Sequence, residues 1–138
     1  MEKLYIRATN TTPEVNFSPP DNIFLIRGIS SPEDVRAMYY PVIEWIKMYV
    51  DEIIVAPDKK YIADSPLKFQ ADLMYFNSSS AKFFYDIFLE LKRLVPLGIP
   101  FIVEWFYDEE DIDLREAGSD IALLVGLEFL YIPKKSST

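Results

Sequence analysis

The chain has 138 residues and a mass of 16.1 kDa, which is the size of one domain. It is half hydrophobic and 15% aromatic, enough to build a core, and it contains no cysteine and no histidine, which excludes disulfide frameworks, Cys/His zinc sites, thiolate nucleophiles and Ser-His-Asp triads. With 14 basic against 22 acidic residues the net charge is -8, which repels nucleic-acid backbones and anionic membranes alike.

At the start, residues 4–6 and 15–17 read as short strands, and the turn Pro19-Pro20-Asp21-Asn22 leads into a third at 23–26, making an N-terminal hairpin. After Gly28, Ser31 offers an N-cap, Pro32 suits a first helical position, and Glu33 and Asp34 favour the positive end of a helix dipole. A helix is therefore expected from about Pro32. Pro41 should end or kink it, yet Val42, Ile46, Tyr49, Val50 and Ile53 continue one apolar face, so either two consecutive helices or one with a bend is expected. Flexibility is expected at the two ends and over residues 56–66.

Residues 67–76 alternate with a period of two, as in a strand that starts half-exposed and ends buried on both faces. The polar turn 77–80 follows, then the helical stripe Phe84, Ile87, Phe88, Leu91 and Val95, with the helix placed at 83–95 and stopped by Pro96-Leu97-Gly98. The run 99–106 is apolar except for Glu104, as a central strand covered on both faces would be. Strand, helix and strand make a parallel βαβ unit with a right-handed crossover. An acidic stretch at 108–116 precedes Gly118, a short helical segment around 121–125 and a last strand at 128–132. The expected fold is a single α/β domain over residues 1–133, with a mixed sheet of about five or six strands and flanking helices, and a flexible tail at 134–138.

The most informative segment is Tyr75-Phe76-Asn77-Ser78-Ser79-Ser80-Ala81-Lys82, which places three hydroxyls between a strand and an amphipathic helix. A helix start favours an anion, so a phosphate on Ser78, Ser79 or Ser80 would be held by the helix and by Lys82; equally, Asn77 or one serine simply caps the helix. Asp108, Glu109, Glu110, Asp111 and Asp113 carry oxygen ligands but lack the spacing of a calcium loop, and read as a solvated acidic loop. Glu104 with Asp108 has no adjacent nucleophile with which to do acid-base chemistry. Trp45, Trp105 and Tyr107 fit a core better than a ligand pocket, and no phosphate-binding glycine loop surrounds Gly28. No run approaches the roughly 18 apolar residues of a membrane span, and the first residues lack the pattern of a signal peptide. The expectation is a soluble cytoplasmic protein, not an enzyme, without metal, cofactor, nucleic-acid or membrane partners.

Taken together, several motifs carry a resemblance that no one of them carries alone. They are Thr12-Pro13-Glu14-Val15 with Phe17; Ile26, Gly28, Ser30 and Pro32-Glu33; Tyr40 to Ile46 with Tyr49; Tyr75 to Ser80 with Lys82; Trp105 to Asp108; and Glu116, Gly118 and Asp120. In this order the chain resembles the SiaC family of bacterial regulatory phosphoproteins, which is similar in fold to the STAS-like anti-sigma-factor antagonists. The resemblance implies a partner switch, in which a cognate Ser/Thr kinase phosphorylates the protein and a PP2C-type phosphatase reverses this. It also implies that the unphosphorylated form binds and activates a diguanylate cyclase, raising cyclic-di-GMP and promoting biofilm or aggregation. The family's usual acceptor is the threonine of an Asn-Thr-Ser-Ser turn; the matching position here is Ser78, with Ser79 and Ser80 as alternatives, Asn77 beside it, and Lys82 as a nearby counter-charge.

Overall fold

Six strands form one sheet whose spatial order repeats the order of the chain. In the computed structural model, which describes residues 1–57 and 60–136, β1 (Leu4–Ile6), β2 (Glu14–Ser18) and β3 (Ile23–Ser30) form an antiparallel meander. Strands β4 (Leu67–Phe76), β5 (Phe101–Asp108) and β6 (Leu130–Lys134) continue from β3 in parallel. Helices α1 (Val35–Val55), α2 (Ser78–Lys92) and α3 (Ile112–Val125) make the three crossovers. Each crossover moves one strand in the same direction, so right-handed connections put all three helices on one face, with α2 packed between α1 and α3. This is the single mixed-sheet α/β domain expected.

Among the described residues, placing all three α-helices on one face leaves the other face of the sheet without one. The expectation that the run at 99–106 is covered on both faces is therefore corrected. Val103 and Trp105 of β5 are buried beneath the helices, whereas Ile102, Glu104 and Phe106 on the opposite face stay partly exposed. That open face is crossed by polar rungs: Arg27 bonds Glu14 at 2.6 Å, Lys134 bonds Asp72 at 2.5 Å, and Gln70 donates to Glu104 at 2.9 Å. Lys134, placed by sequence in the tail, is thus the last residue of β6. Ser137 and Thr138 lie outside the described residues.

Strand β4 also departs from its expected buried end. Register with β3 slips between Gly28, which pairs with Leu73, and Ile29, which pairs with Tyr75. Met74 is the extra residue of a bulge, so Met74 and Tyr75 both reach solvent while Phe76 returns to the helix face against Phe84 and Trp105. The slip is accommodated by Gly28 at φ 121°, a conformation L side chains avoid.

Helix α1 begins at Val35, not at Pro32. Asp34 is its cap, accepting from Ala37 N at 3.1 Å, because Ser31 N is held out of a helix by a 2.7 Å bond to Thr11 O. One continuous helix runs past Pro41, which lies on the exposed side, so the bond to the Ala37 carbonyl is lost at the solvent face and not in the core. The buried stripe Tyr39, Val42, Trp45, Ile46, Tyr49 and Val50 meets the sheet, with the Trp45 ring against Phe17 and Phe24. Within residues 56–66, Tyr61 is buried and its hydroxyl bonds that of Tyr49 at 2.6 Å; Asp58 and Lys59 lie outside the described residues.

Helix α3 is far longer than the short segment expected, because Gly118 is no breaker. It lets the helix lie directly on the Trp105 indole, to which an added Cβ would come within 2.5 Å, and Trp105 Nε1 donates to Leu114 O at 3.1 Å. The acidic stretch is consequently not one solvated loop but a turn plus the first part of α3.

Candidate functional site

The site is built where β4 leaves the sheet and α2 begins. Asn77 is extended (φ -87°, ψ 170°) and is the N-cap: its Oδ1 accepts from Ser80 N at 3.0 Å, which satisfies one of the orphan donors of the first turn. Its own N–H reaches across to Ser30 O at 3.0 Å, tying the turn to the end of β3. Helix α2 therefore starts at Ser78, not near Phe83, and the three serines occupy its first turn instead of a loop before it.

The three hydroxyls fare differently. Ser80 is fully buried and donates to Ser30 O at 3.2 Å, while accepting from Ser30 Oγ at 2.8 Å. Ser30 Oγ lies 2.6 Å from the Tyr39 hydroxyl, and since the Ser30 proton is already committed to Ser80, the phenol is the donor of that bond. A closed chain, Tyr39 to Ser30 to Ser80 to the Ser30 carbonyl, thus forms a dry floor beneath the turn, and burial pushes the Tyr39 phenol well above its usual range, opposed by the Ser30 bond. Ser79 is exposed but its Oγ donates to Asn77 Oδ1 at 3.0 Å. Ser78 is exposed and makes no side-chain hydrogen bond among the described residues.

Ser78 stands on a ridge between two grooves of opposite charge. On one side a groove of about 420 Å³ is lined by Val35, Arg36 and Tyr40 of α1 and by Ser79, Lys82 and Phe83 of α2. On the other a groove of about 380 Å³ runs past Met74, Tyr75 and Asn77 to Asp111 and Asp113. Lys82 bonds Asp86 at 3.1 Å one turn along, and its ammonium lies 5.0 Å from the Phe83 ring centroid. The neighbouring apolar groups are unusually open: Met74 is 67% exposed, Tyr40 57% and Tyr75 55%.

Of the residues singled out by sequence, Asn77, Ser78, Ser79, Ser80 and Lys82 come together here. The carboxylates do not join them as a set. Asp111 caps α3 through Leu114 N at 3.0 Å, Asp113 lies in its first turn, Asp108 accepts from Glu110 N at 2.9 Å, and Glu104 is engaged by Gln70. Among the described residues, no group of three acidic side chains is arranged to hold a metal ion, and no helix is long and apolar enough to cross a membrane. Arg36 and Tyr39 escaped the sequence reading, and Ser30 and Tyr40 entered it only as motif residues of the resemblance, with nothing to tie them to the serine turn. All four lie 38 to 48 positions from Ser78 in the chain, and no local pattern connects them to it.

Comparison with known proteins bears on the family and the fold. The family model of the SiaC family regulatory phosphoprotein matches residues 6–134. A curated but uncharacterized protein of Pseudomonas aeruginosa (strain UCBPP-PA14) is 26% identical over 122 residues, covering 87% of each chain. Among solved structures, SiaC of Pseudomonas aeruginosa is similar with a TM-score of 0.74 at 25% identity, over 99% of this chain and 100% of that one. The crystal structure of apo-SiaC from the same organism gives 0.77 at 23% identity, over 97% and 99%. A chain of the crystal structure of diguanylate cyclase SiaD in complex with its activator SiaC, also from Pseudomonas aeruginosa, gives 0.77 at 22% identity, over 96% and 99%.

Proposed function

Because the chain belongs to the SiaC family of regulatory phosphoproteins, we propose that it is a non-enzymatic binding protein switched by phosphorylation of Ser78. In this reading a Ser/Thr kinase adds the phosphate, a PP2C-type phosphatase removes it, and the unphosphorylated form binds and activates a diguanylate cyclase in the cytoplasm. The cyclase is supported by the solved complex of diguanylate cyclase SiaD with its activator SiaC. The observation that carries the choice of residue is the state of the hydroxyls: Ser78 is exposed and unbonded among the described residues, Ser79 is spent on Asn77, and Ser80 is sealed in the core.

The physics of the switch follows from the surroundings of Ser78. Met74, Tyr75 and Tyr40 offer apolar area that a partner covers. A dianionic phosphate in the middle of that contact has to be desolvated, at a cost of several kcal/mol unless the partner supplies a cation. At about 1.4 kcal/mol per decade, even ~3 kcal/mol weakens a complex roughly a hundredfold.

Mass spectrometry of protein isolated from its host, with and without PP2C-type phosphatase, tests the modification. One phosphatase-sensitive phosphate on the peptide spanning Ser78, absent in Ser78→Ala, is the expected result. The purified phosphoprotein should then bind the cognate cyclase at least about tenfold more weakly than the unmodified form. Absence of phosphate across growth conditions, or undiminished cyclase binding by the phosphorylated form, would overturn the switch and leave a constitutive binding module.

A further inference from the structure

We infer that the groove between α1 and α2 is the seat of the Ser78 phosphate, and that Arg36 of α1 is the residue that clasps it, with Lys82 of α2 as the second cation. This rests on Ser78 as the acceptor. The two grooves beside Ser78 decide where a dianion goes. Asp111 and Asp113 line the Met74 side and repel it, whereas Arg36 and Lys82 line the Tyr40 side and attract it.

Arg36 is suited to the task in two ways. In a chain with 22 acidic residues against 14 basic ones, its exposed guanidinium makes no ion pair or hydrogen bond among the described residues. Its planar fork also matches a phosphate with two parallel N–H donors, which an ammonium cannot do. Lys82 is already held by Asp86, and Glu44 lines the adjoining groove with both of them, so Lys82 is partly neutralised and Arg36 supplies the larger uncompensated charge. Of the two acids that directly precede α1, Asp34 caps the helix and the exposed Glu33 forms no ion pair among the described residues, so neither is bonded to Arg36. A phosphate so placed joins the first turns of α1 and α2 and lies over the Tyr40 and Phe83 rings, which are 5.9 Å apart. The modification thereby covers one flank of the exposed apolar surface from within the molecule.

The test installs phosphoserine at position 78 during translation and follows the phosphate by ³¹P NMR as pH is varied. Nearby cations favour the dianion and lower its titration midpoint. Relative to otherwise unchanged phosphoprotein, Arg36→Gln is expected to raise the midpoint by roughly half a pH unit and Lys82→Gln by less, whereas Arg36→Lys retains part of the effect but loses the forked geometry. Equal midpoints in the parent, Arg36→Gln and Lys82→Gln proteins would overturn the seat. Both side chains are exposed, so folding is not at stake, and the unmodified parent and Arg36→Gln proteins should melt alike while their phosphorylated forms differ. Since the phosphate is placed without a kinase, this result stands apart from whether the host modifies Ser78.

Discussion

Removing the Ser30 hydroxyl is the sharpest probe of the floor that supports the site. Ser30→Ala takes away the Oγ that accepts from Tyr39 at 2.6 Å and donates to Ser80 at 2.8 Å. Ser80 keeps its bond to the Ser30 carbonyl, so the burden falls on the Tyr39 phenol, which is 0% exposed and has no other hydrogen-bond partner among the described residues. A buried donor left unsatisfied costs about 1–3 kcal/mol. We expect a loss of about 2 kcal/mol, which in a domain of this size lowers the melting temperature by roughly 6–10 °C. Tyr39→Phe alone leaves Ser30 still donating to Ser80 and should cost only about 1 kcal/mol. The double variant removes both ends of the bond, so it should be more stable than Ser30→Ala by about 1 kcal/mol. Urea denaturation with unchanged slope measures all three. If the double variant is as unstable as Ser30→Ala, or less stable, the bond does not have the buried, closed character derived for it.

Gly118→Ala should destabilise the protein although it replaces a helical glycine. The gain of about 1 kcal/mol in helix propensity is outweighed by a Cβ placed 2.5 Å from the buried Trp105 indole, where overpacking costs about 1–3 kcal/mol and the bond to Leu114 O, worth about 1 kcal/mol, is strained as well. Tryptophan fluorescence should shift with it, and a raised melting temperature would contradict the packing described. Asn77→Ala should cost about 1 kcal/mol through the lost cap, whereas Asn77→Asp should retain most of the stability, both read by urea denaturation. The phenol of Tyr39 makes stability fall in alkali. Its folded-state value is raised above the usual 10.0, so the contribution is complete below pH 10.0 and is lost as pH rises beyond it, where the unfolded chain releases the proton and the folded one retains it. Tyr39→Phe should flatten the fall in stability above pH 10.0.

Periodicity and turn chemistry are local properties, and what depends on them was legible in the chain. The period-two alternation of residues 67–76 and the stripe from Phe84 to Leu91 follow from which side chains a strand or a helix can bury, whereas α2 ends at Lys92, before the expected stop at Pro96-Leu97-Gly98, and Val95 of the expected stripe is exposed in a separate 3-10 turn. That three serines sit at a strand-to-helix junction was legible for the same reason, though not that they form the first turn of α2, and the family was legible through motifs spread over the length of the chain. Helix starts were legible only in part. Asp34 outcompetes Ser31 as a cap because a long-range bond to Thr11 O holds Ser31 in extended backbone. The path through Pro41 and the length of α3 were likewise decided by tertiary packing, which stabilises a helix past a proline or a glycine when one face is buried.

Composition and spacing determined that a single α/β domain would form and that hydroxyls would crowd one helix start. They did not determine which hydroxyl is available. Ser78, Ser79 and Ser80 are equivalent as letters, and only the positions of Asn77, Ser30 and Tyr39 bond one, bury another and leave the third open. Nor does the linear chain show that Arg36 faces Ser78, because a helix and two strands of sheet must assemble before residues so far apart share a groove. The same holds for the open sheet face: an apolar run such as residues 99–106 records how hydrophobic a strand is, while the direction of three crossovers decides which side of it is covered.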